Sequence, residues 1–201
     1  MRFAILGTRG IPARYGGFET FAEELSVRLV ARGHQVTVYC RQRHPEAIYR
    51  GVHLQYVPAI RHKYAETLAH TAMSTLHLLG SSYDAVLYCN AANAVFTWMP
   101  RLRGIPVALN VDGLERNRKK WNALAKNWYK MSERMATWMP NVVISDAQAI
   151  ADYYASNFYS YVDCVLPKPD VVSAWSKFVI RLTGRHGLRT HLSNCHIETK
   201  L

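Results

Sequence analysis

Gly7-Thr8-Arg9-Gly10-Ile11-Pro12-Ala13-Arg14-Tyr15-Gly16-Gly17-Phe18-Glu19 decides the reading of this chain because of what stands on either side of it. Before it, Arg2-Phe3-Ala4-Ile5-Leu6 is a short apolar run of the kind buried in a parallel sheet, and beyond it Phe21, Leu25 and Leu29 recur at helical spacing. Strand, glycine-rich turn and helix together present backbone N–H groups to a phosphate or sugar oxygen at the carboxyl end of a strand. Gly16 and Gly17 leave their main chain open to close approach, and Arg9 and Arg14 add cations nearby. The same residues also suit a plain long turn with two solvated arginines. Two familiar nucleotide loops are excluded: the glycines at 7, 10, 16 and 17 do not make Gly-x-Gly-x-x-Gly, and there is no Gly-Lys-Ser/Thr of a P-loop.

Outward from the loop, apolar runs and helical patterns alternate. Gly33 closes the first helix, and Gln35–Cys40, Val52–Val57, Ala85–Cys89, Pro106–Val111 and Asn141–Ser145 predict five more strands. Lys63–Leu79, with Leu68, Ala72, Leu76 and Leu79 at helical spacing, Ala92–Leu102 and Arg118–Trp138 read as helices. Asp146 suits the N-cap of another, through Asn157. This order predicts an α/β fold: a Rossmann-like, doubly wound, mainly parallel sheet with helices on both faces.

At 201 residues and 49% hydrophobic, the chain can bury an ordinary core in one or at most two domains. Its net charge is +11, with 19 Lys/Arg against 12 Asp/Glu in residues 1–166 and 6 against 2 in residues 167–201. That excess favours anionic partners such as nucleotide diphosphates or phospholipid faces; no nucleic-acid module is recognisable. No apolar run reaches the roughly 18 residues of a membrane span, and Phe3–Leu6 is too short for a secretory signal, so a cytoplasmic protein is expected. Cys40, Cys89, Cys164 and Cys195 stand singly and read as reduced thiols, and the scattered histidines suggest no metal site. At Pro167-Lys168-Pro169 the alternation stops, which predicts a domain over 1–166 and a divergent, poorly docked tail over 167–201.

Four motifs in order then carry a specific resemblance: Gly7 to Pro12 with Tyr15 to Thr20; Asn90-Ala91-Ala92-Asn93; Leu109-Asn110-Val111-Asp112-Gly113-Leu114-Glu115; and Ile144-Ser145-Asp146-Ala147. Over roughly residues 1–166 the chain resembles the N-terminal half of a bacterial GT-B glycosyltransferase. It is most similar to the family four retaining enzymes, in the branch that includes rhamnosyltransferases of cell-surface polysaccharide synthesis. The resemblance implies one of two Rossmann-like domains facing a cleft, this one holding the acceptor and the other the sugar nucleotide. The missing domain of such enzymes carries two glutamates eight positions apart, a pair that occurs nowhere here, and the sequence departs from the family past Ala155. The chain therefore reads as a truncated or frameshifted enzyme, inactive or nearly so alone.

The resemblance implies that Gly16 and Gly17, with Arg9 and Arg14, lie beside the donor diphosphate. Asp112, just past the fifth strand, is the expected catalytic residue, taking the proton of the acceptor hydroxyl or orienting it; an Asp-Gly turn that caps the next helix is the bland alternative. Asn90, Asn93, Glu115 and Arg118 are the expected acceptor contacts, although the two asparagines would equally cap the short helix. The nucleotide sugar enters as co-substrate and no other cofactor or metal is implied; the acceptor is a lipid-linked or polysaccharide saccharide. The predicted helix 118–138 carries Arg118, Lys119, Lys120, Lys126, Lys130 and Arg134, which suits contact with an anionic inner membrane face. Its Trp121, Ala125, Trp128, Met135 and Trp138 read more simply as a core stripe. Two other classes compete. One is a non-catalytic domain that docks onto a donor-domain partner or membrane. The other is an NADP-dependent oxidoreductase using Arg41 after the second strand, against which the glycine spacing argues.

Overall fold

The computed structural model describes residues 1–14, 16–59, 66–111 and 123–158 with their side chains, and the backbone of 164–165. All six predicted strands are present: Arg2–Leu6 (β1), Gln35–Cys40 (β2), Val52–Tyr56 (β4), Ala85–Cys89 (β5), Val107–Val111 (β6) and Val142–Ser145 (β7). Two short strands, Ile48–Tyr49 (β3) and Cys164–Val165 (β8), complete a sheet of order β3-β4-β2-β1-β5-β6-β7-β8. Every pairing is parallel except β3 with β4. The polar stretch between β2 and β4 thus contributes the first strand of an edge hairpin. Arg50 (φ 49°) and Gly51 (φ 82°) both take left-handed backbone between Tyr49 and Val52, the two-residue turn whose twist matches an antiparallel pair.

The helices are Gly17–Ala31 (α1), Glu66–Leu79 (α2), Trp98–Leu102 (α3), Ala123–Ala136 (α4) and Gln148–Phe158 (α5). α1 ends as Gly33 predicts. Gly33 takes φ 82°, its N–H donates to Val30 O and the His34 N–H reaches back to Leu29 O, closing the last turn. The single helix expected over 92–102 is instead a 3₁₀ helix, Ala91–Phe96, followed by α3. Pro100 has no N–H to donate to Phe96, so a continuous α-helix would lose a bond there.

Alternation along the strands separates two apolar layers. Ile5, Val36, Val38 and Cys40 pack with Phe21 and Ala22 of α1, while Ala4, Leu6, Tyr39, Tyr88, Val107 and Leu109 pack with Leu78 of α2, Ala136 of α4 and Tyr154 of α5. The chain runs outward from β1 through α1 to β2, then returns through α2 to β5 on the other side of β1. The strand order therefore reverses between β1 and β5, and in such sheets ligands bind where this happens, beyond the carboxyl ends of the strands.

The faces of α2 and α4 differ from expectation. Buried on α2 are His70, Thr71, Ser74, Thr75 and Leu78, whereas Leu76 of the predicted apolar stripe is 60% exposed. On α4 the buried residues are Tyr129, Ser132, Glu133 and Ala136. Trp138, expected in the core, is 60% exposed just beyond the helix. Trp121 and the tail from 166 onward lie outside the described residues. Among those described, no helix is long and apolar enough to cross a membrane.

Candidate functional site

The loop after β1 is wedged between neighbouring strand ends. Gly7 (φ 89°) lies so close to β5 that a Cβ would collide with the Cys89 carbonyl and stand 2.7 Å from Asn93 Nδ2. A Cβ on Gly10 (φ 108°) would stand 2.6 Å from Cys40 Sγ at the end of β2. Only glycine satisfies both the backbone angle and the space.

α1 holds the loop down with its own carboxylates. Glu19 Oε1 accepts the Arg9 N–H at 2.9 Å, and Glu23 Oε2 accepts the Ala13 N–H at 2.6 Å. Glu23 Oε1 also accepts the Tyr49 hydroxyl at 2.9 Å, tying the edge hairpin to the same helix. The amides of Arg9 and Ala13 are thereby used within the protein. Gly16, the N-cap, has φ 114° and makes no side-chain cap bond, so the first-turn amides of α1 are left for another partner, although the Glu19 carboxylate leans over Gly16 where a Cβ would stand. Arg9 and Arg14 are exposed, as is Gly17, while Gly16 is half-buried.

Asn90 and Asn93 follow β5 on the same rim. Asn90 takes φ 75°, its Oδ1 accepts the Ala92 N–H at 2.8 Å and its own N–H donates to Asn110 O, so it caps the 3₁₀ helix. Asn93 is fully buried with Nδ2 donating to Cys89 O at 2.7 Å, and its Oδ1 has no partner. Asn110 is paired with Cys89 in the sheet register and is also buried with an unpartnered Oδ1. Gly7 and Asn110 thus flank the end of β5. Asp112, Glu115 and Arg118, which follow within a few residues of β6, lie outside the described residues, as does Tyr15.

A second polar group at this rim joins Arg41, named from sequence only for the oxidoreductase alternative, to His70, which was not singled out. Arg41 directly follows β2; its N–H donates to Arg9 O at 3.0 Å, Nη2 donates to Thr67 Oγ1 at 3.1 Å, and Nη1 lies 3.6 Å from Glu66 Oε1. Burial lowers its pKa; Glu66 opposes that shift and Arg9 adds to it. His70, one turn along α2, is fully buried, and burial followed by the Arg41 charge pushes its pKa down to about 4, so its imidazole is neutral at pH 7. The signal was in the sequence as polar residues at 67, 70, 71, 74 and 75, a helical face that hydrophobic periodicity overlooks. Cys40 beneath the loop is buried and its thiol is pushed up to about 11, which leaves it inert as a nucleophile. Cys40 and Cys89 are free thiols, and no cluster of metal-binding side chains occurs among the described residues.

With this geometry in place, comparison with known proteins is decisive. The sequence profile of Glycosyltransferase Family 4 matches residues 15–162. The chain belongs to that family. Among solved structures, sucrose-phosphate synthase from Thermosynechococcus elongatus superposes with a TM-score of 0.60 at 17% identity, over 83% of this chain and 47% of that one. WaaG, a glycosyltransferase involved in lipopolysaccharide biosynthesis, superposes with a TM-score of 0.59 at 15% identity, over 88% and 49%. UGT2 of Phytolacca americana gives 0.54 at 12% identity, over 86% and 54%. This member of Family 4 therefore has the Rossmann-like fold of one half of a GT-B architecture and spans about half the length of these proteins. A search of curated proteins found no match.

Proposed function

We propose that this chain is the acceptor-side domain of a retaining glycosyltransferase that moves a sugar from a nucleotide sugar to a saccharide acceptor. The observation that carries the reading is the meeting of the β1–α1 loop, the end of β5 and the end of β6 on one rim, at the reversal of strand order. Gly16 and Gly17 at the uncapped start of α1 then face the donor diphosphate, with Arg9 and Arg14 beside it. Asp112, two residues beyond Asn110, meets the acceptor hydroxyl, as proton acceptor or by orienting it. Asn90, Asn93, Glu115 and Arg118 complete the acceptor wall; for Asn93 the free group is the buried Oδ1.

The finer assignments belong to the same proposal. A lipid-linked acceptor of surface polysaccharide synthesis, rhamnose as the sugar, and work at the cytoplasmic face of the plasma membrane accord with the motifs. The exposed Trp138 and the exposed Lys126, Lys130 and Arg134 of α4 support peripheral contact with anionic lipid. The domain ends near residue 166, before the divergent segment 167–201. Turnover requires a donor-side domain that aligns the nucleotide sugar with the acceptor held here.

The test is to incubate the purified chain with labelled nucleotide sugars and lipid-linked saccharides. Acceptor binding weakened by Asp112→Asn, with no transfer, is the expected result. Robust turnover by the chain alone contradicts a half enzyme.

A further inference from the structure

A buried guanidinium is normally surrounded by acceptors, because a charge removed from water needs every partner it can have. Arg41 is not. Its side chain is 8% exposed, its Nε is buried without a partner, and the carboxylate paired with it among the described residues, Glu66, stands 3.6 Å away on a side chain 43% exposed. Arg9, across the backbone bond from Arg41, adds repulsion, and Glu19, which opposes it, acts only through its charge, its Oε1 being bound to the Arg9 N–H. Neither ring nitrogen of the neighbouring His70, which is buried, reaches a partner at full hydrogen-bond geometry, and only the Cys40 backbone engages the ring. A neutral imidazole carries one N–H in either tautomer, so the recess holds an unpartnered Arg41 Nε–H beside a weakly engaged imidazole N–H. What such a group lacks is an anion.

Glu66 is poorly suited to be a permanent one. It is the first residue of α2 and its side chain is partly in water, so it can swing outward, whereas Arg41 is anchored by Thr67 and by its backbone bond to the glycine loop. We propose that Glu66 is a placeholder, occupying Arg41 in the free protein and yielding to a phosphate or carboxylate borne by the acceptor saccharide, which Arg41 and the His70 N–H then bind. The carrier of that anion rests on the glycosyltransferase reading; the anion site itself does not. Arg41 ends the strand on the far side of β1 from β5, so the bound group lies beside the strand-order reversal rather than on it.

The two partners of the ion pair should respond oppositely. Long-range ¹H–¹⁵N spectra of the histidine rings report on His70 directly while inorganic phosphate, glucose 6-phosphate and UDP are titrated separately into the full chain. Phosphate and glucose 6-phosphate are expected to shift the His70 ring signals. Arg41→Gln should weaken this binding about tenfold or more, and Glu66→Gln should tighten it by about tenfold, since it removes a competing carboxylate. Arg32→Gln, on the opposite rim, should leave it unchanged. A purely structural ion pair gives no tightening in Glu66→Gln, and that outcome, or His70 signals unmoved in the wild-type protein, overturns the proposal. Should Arg41→Gln fail to fold, those two arms still decide. UDP shifting His70 at lower concentration than glucose 6-phosphate would overturn the assignment to the acceptor. The turnover assay above judges the glycosyltransferase reading separately, and can fail while this binding stands.

Discussion

The two rims of the sheet are built differently. At the amino rim hydrogen bonds close on one another: the Arg2 N–H donates to Asp84 Oδ2 and the Asp84 N–H to Arg2 O, while Val107 N–H donates to Asn141 Oδ1 and Asn141 N–H to Val107 O. Arg101 Nη1 there donates to the carbonyls of Trp138 and Met139, which would otherwise be left open beyond α4. Toward the carboxyl rim lie six of the ten buried side-chain polar atoms that lack a partner among the described residues, on Arg41, His70, Thr71, Asn93 and Asn110. Buried polar groups cost stability unless they are paired, so an excess at one rim is a cost borne for something other than folding. Left-handed glycines stand at both rims, with Gly33, Gly51 and Gly104 before strands at the amino rim, but the closest approach to another strand's backbone is that of Gly7 to the Cys89 carbonyl at the carboxyl rim. One rim closes its polar groups on one another; the other is the rim at which the proposed function places the ligands.

That contrast can be broken by mutation. The largest effect is expected for Gly7→Ala, which combines a left-handed φ with a collision against the β5 backbone and should cost about 3 kcal/mol or more. Gly104→Ala at the amino rim (φ 75°, nothing within 4 Å of the added Cβ) should cost only about 1 kcal/mol, so urea denaturation of the pair measures how tightly the loop is wedged. Equal losses would remove the wedge.

His70 sharpens the comparison through pH. Its folded pKa is depressed to about 4 from 6.5, so the unfolded chain binds a proton that the folded one does not as pH falls from 6.5 towards 4. Its stabilising contribution is full above 6.5 and lost through that window, by about 3 kcal/mol in all. His70→Leu should flatten this part of the stability profile, and a profile unchanged by the substitution would show that the ring is not held neutral.

Smaller effects differ in sign. Arg101→Ala should destabilise by about 1–2 kcal/mol, because the carbonyls beyond α4 lose their donor. Ser74→Ala, which removes an unpartnered buried hydroxyl, should be neutral or stabilise by up to about 1 kcal/mol. Thermal denaturation that placed Ser74→Ala among the destabilising variants would mean that the hydroxyl has a structural partner.

Much of the fold was legible because its signals are local. Apolar runs such as Arg2–Leu6 and Ala85–Cys89 can hardly be anything but buried parallel strands, and Gly33 stops α1 for a reason readable in one residue. What was not legible depends on partners distant in sequence. Ile48–Tyr49 is too short to alternate and exists because β4 pairs with it and Glu23 binds Tyr49. On α2 the buried face is rotated from the spacing of Leu68, Ala72, Leu76 and Leu79, so that Leu76 is exposed while His70, Thr71, Ser74 and Leu78 turn inward. Likewise nothing local in the sequence marks Glu19 and Glu23 as partners of the loop, and only the folded chain shows that they bind its amides. The site was legible to the extent that loops following strands must share a rim; the role of Arg41 was not, because it arises from a helix that begins 25 residues later.

The central claim is that ligands meet this domain at its carboxyl rim. Backbone amide shift mapping with UDP and glucose 6-phosphate tests it most directly. The expected shifts fall in residues 7–19, 41–42, 66–74, 89–93 and 110–111, with none in 32–35, 81–84, 103–107 or 137–141. Shifts confined to that second set, or absent with both ligands at millimolar concentration, would contradict it.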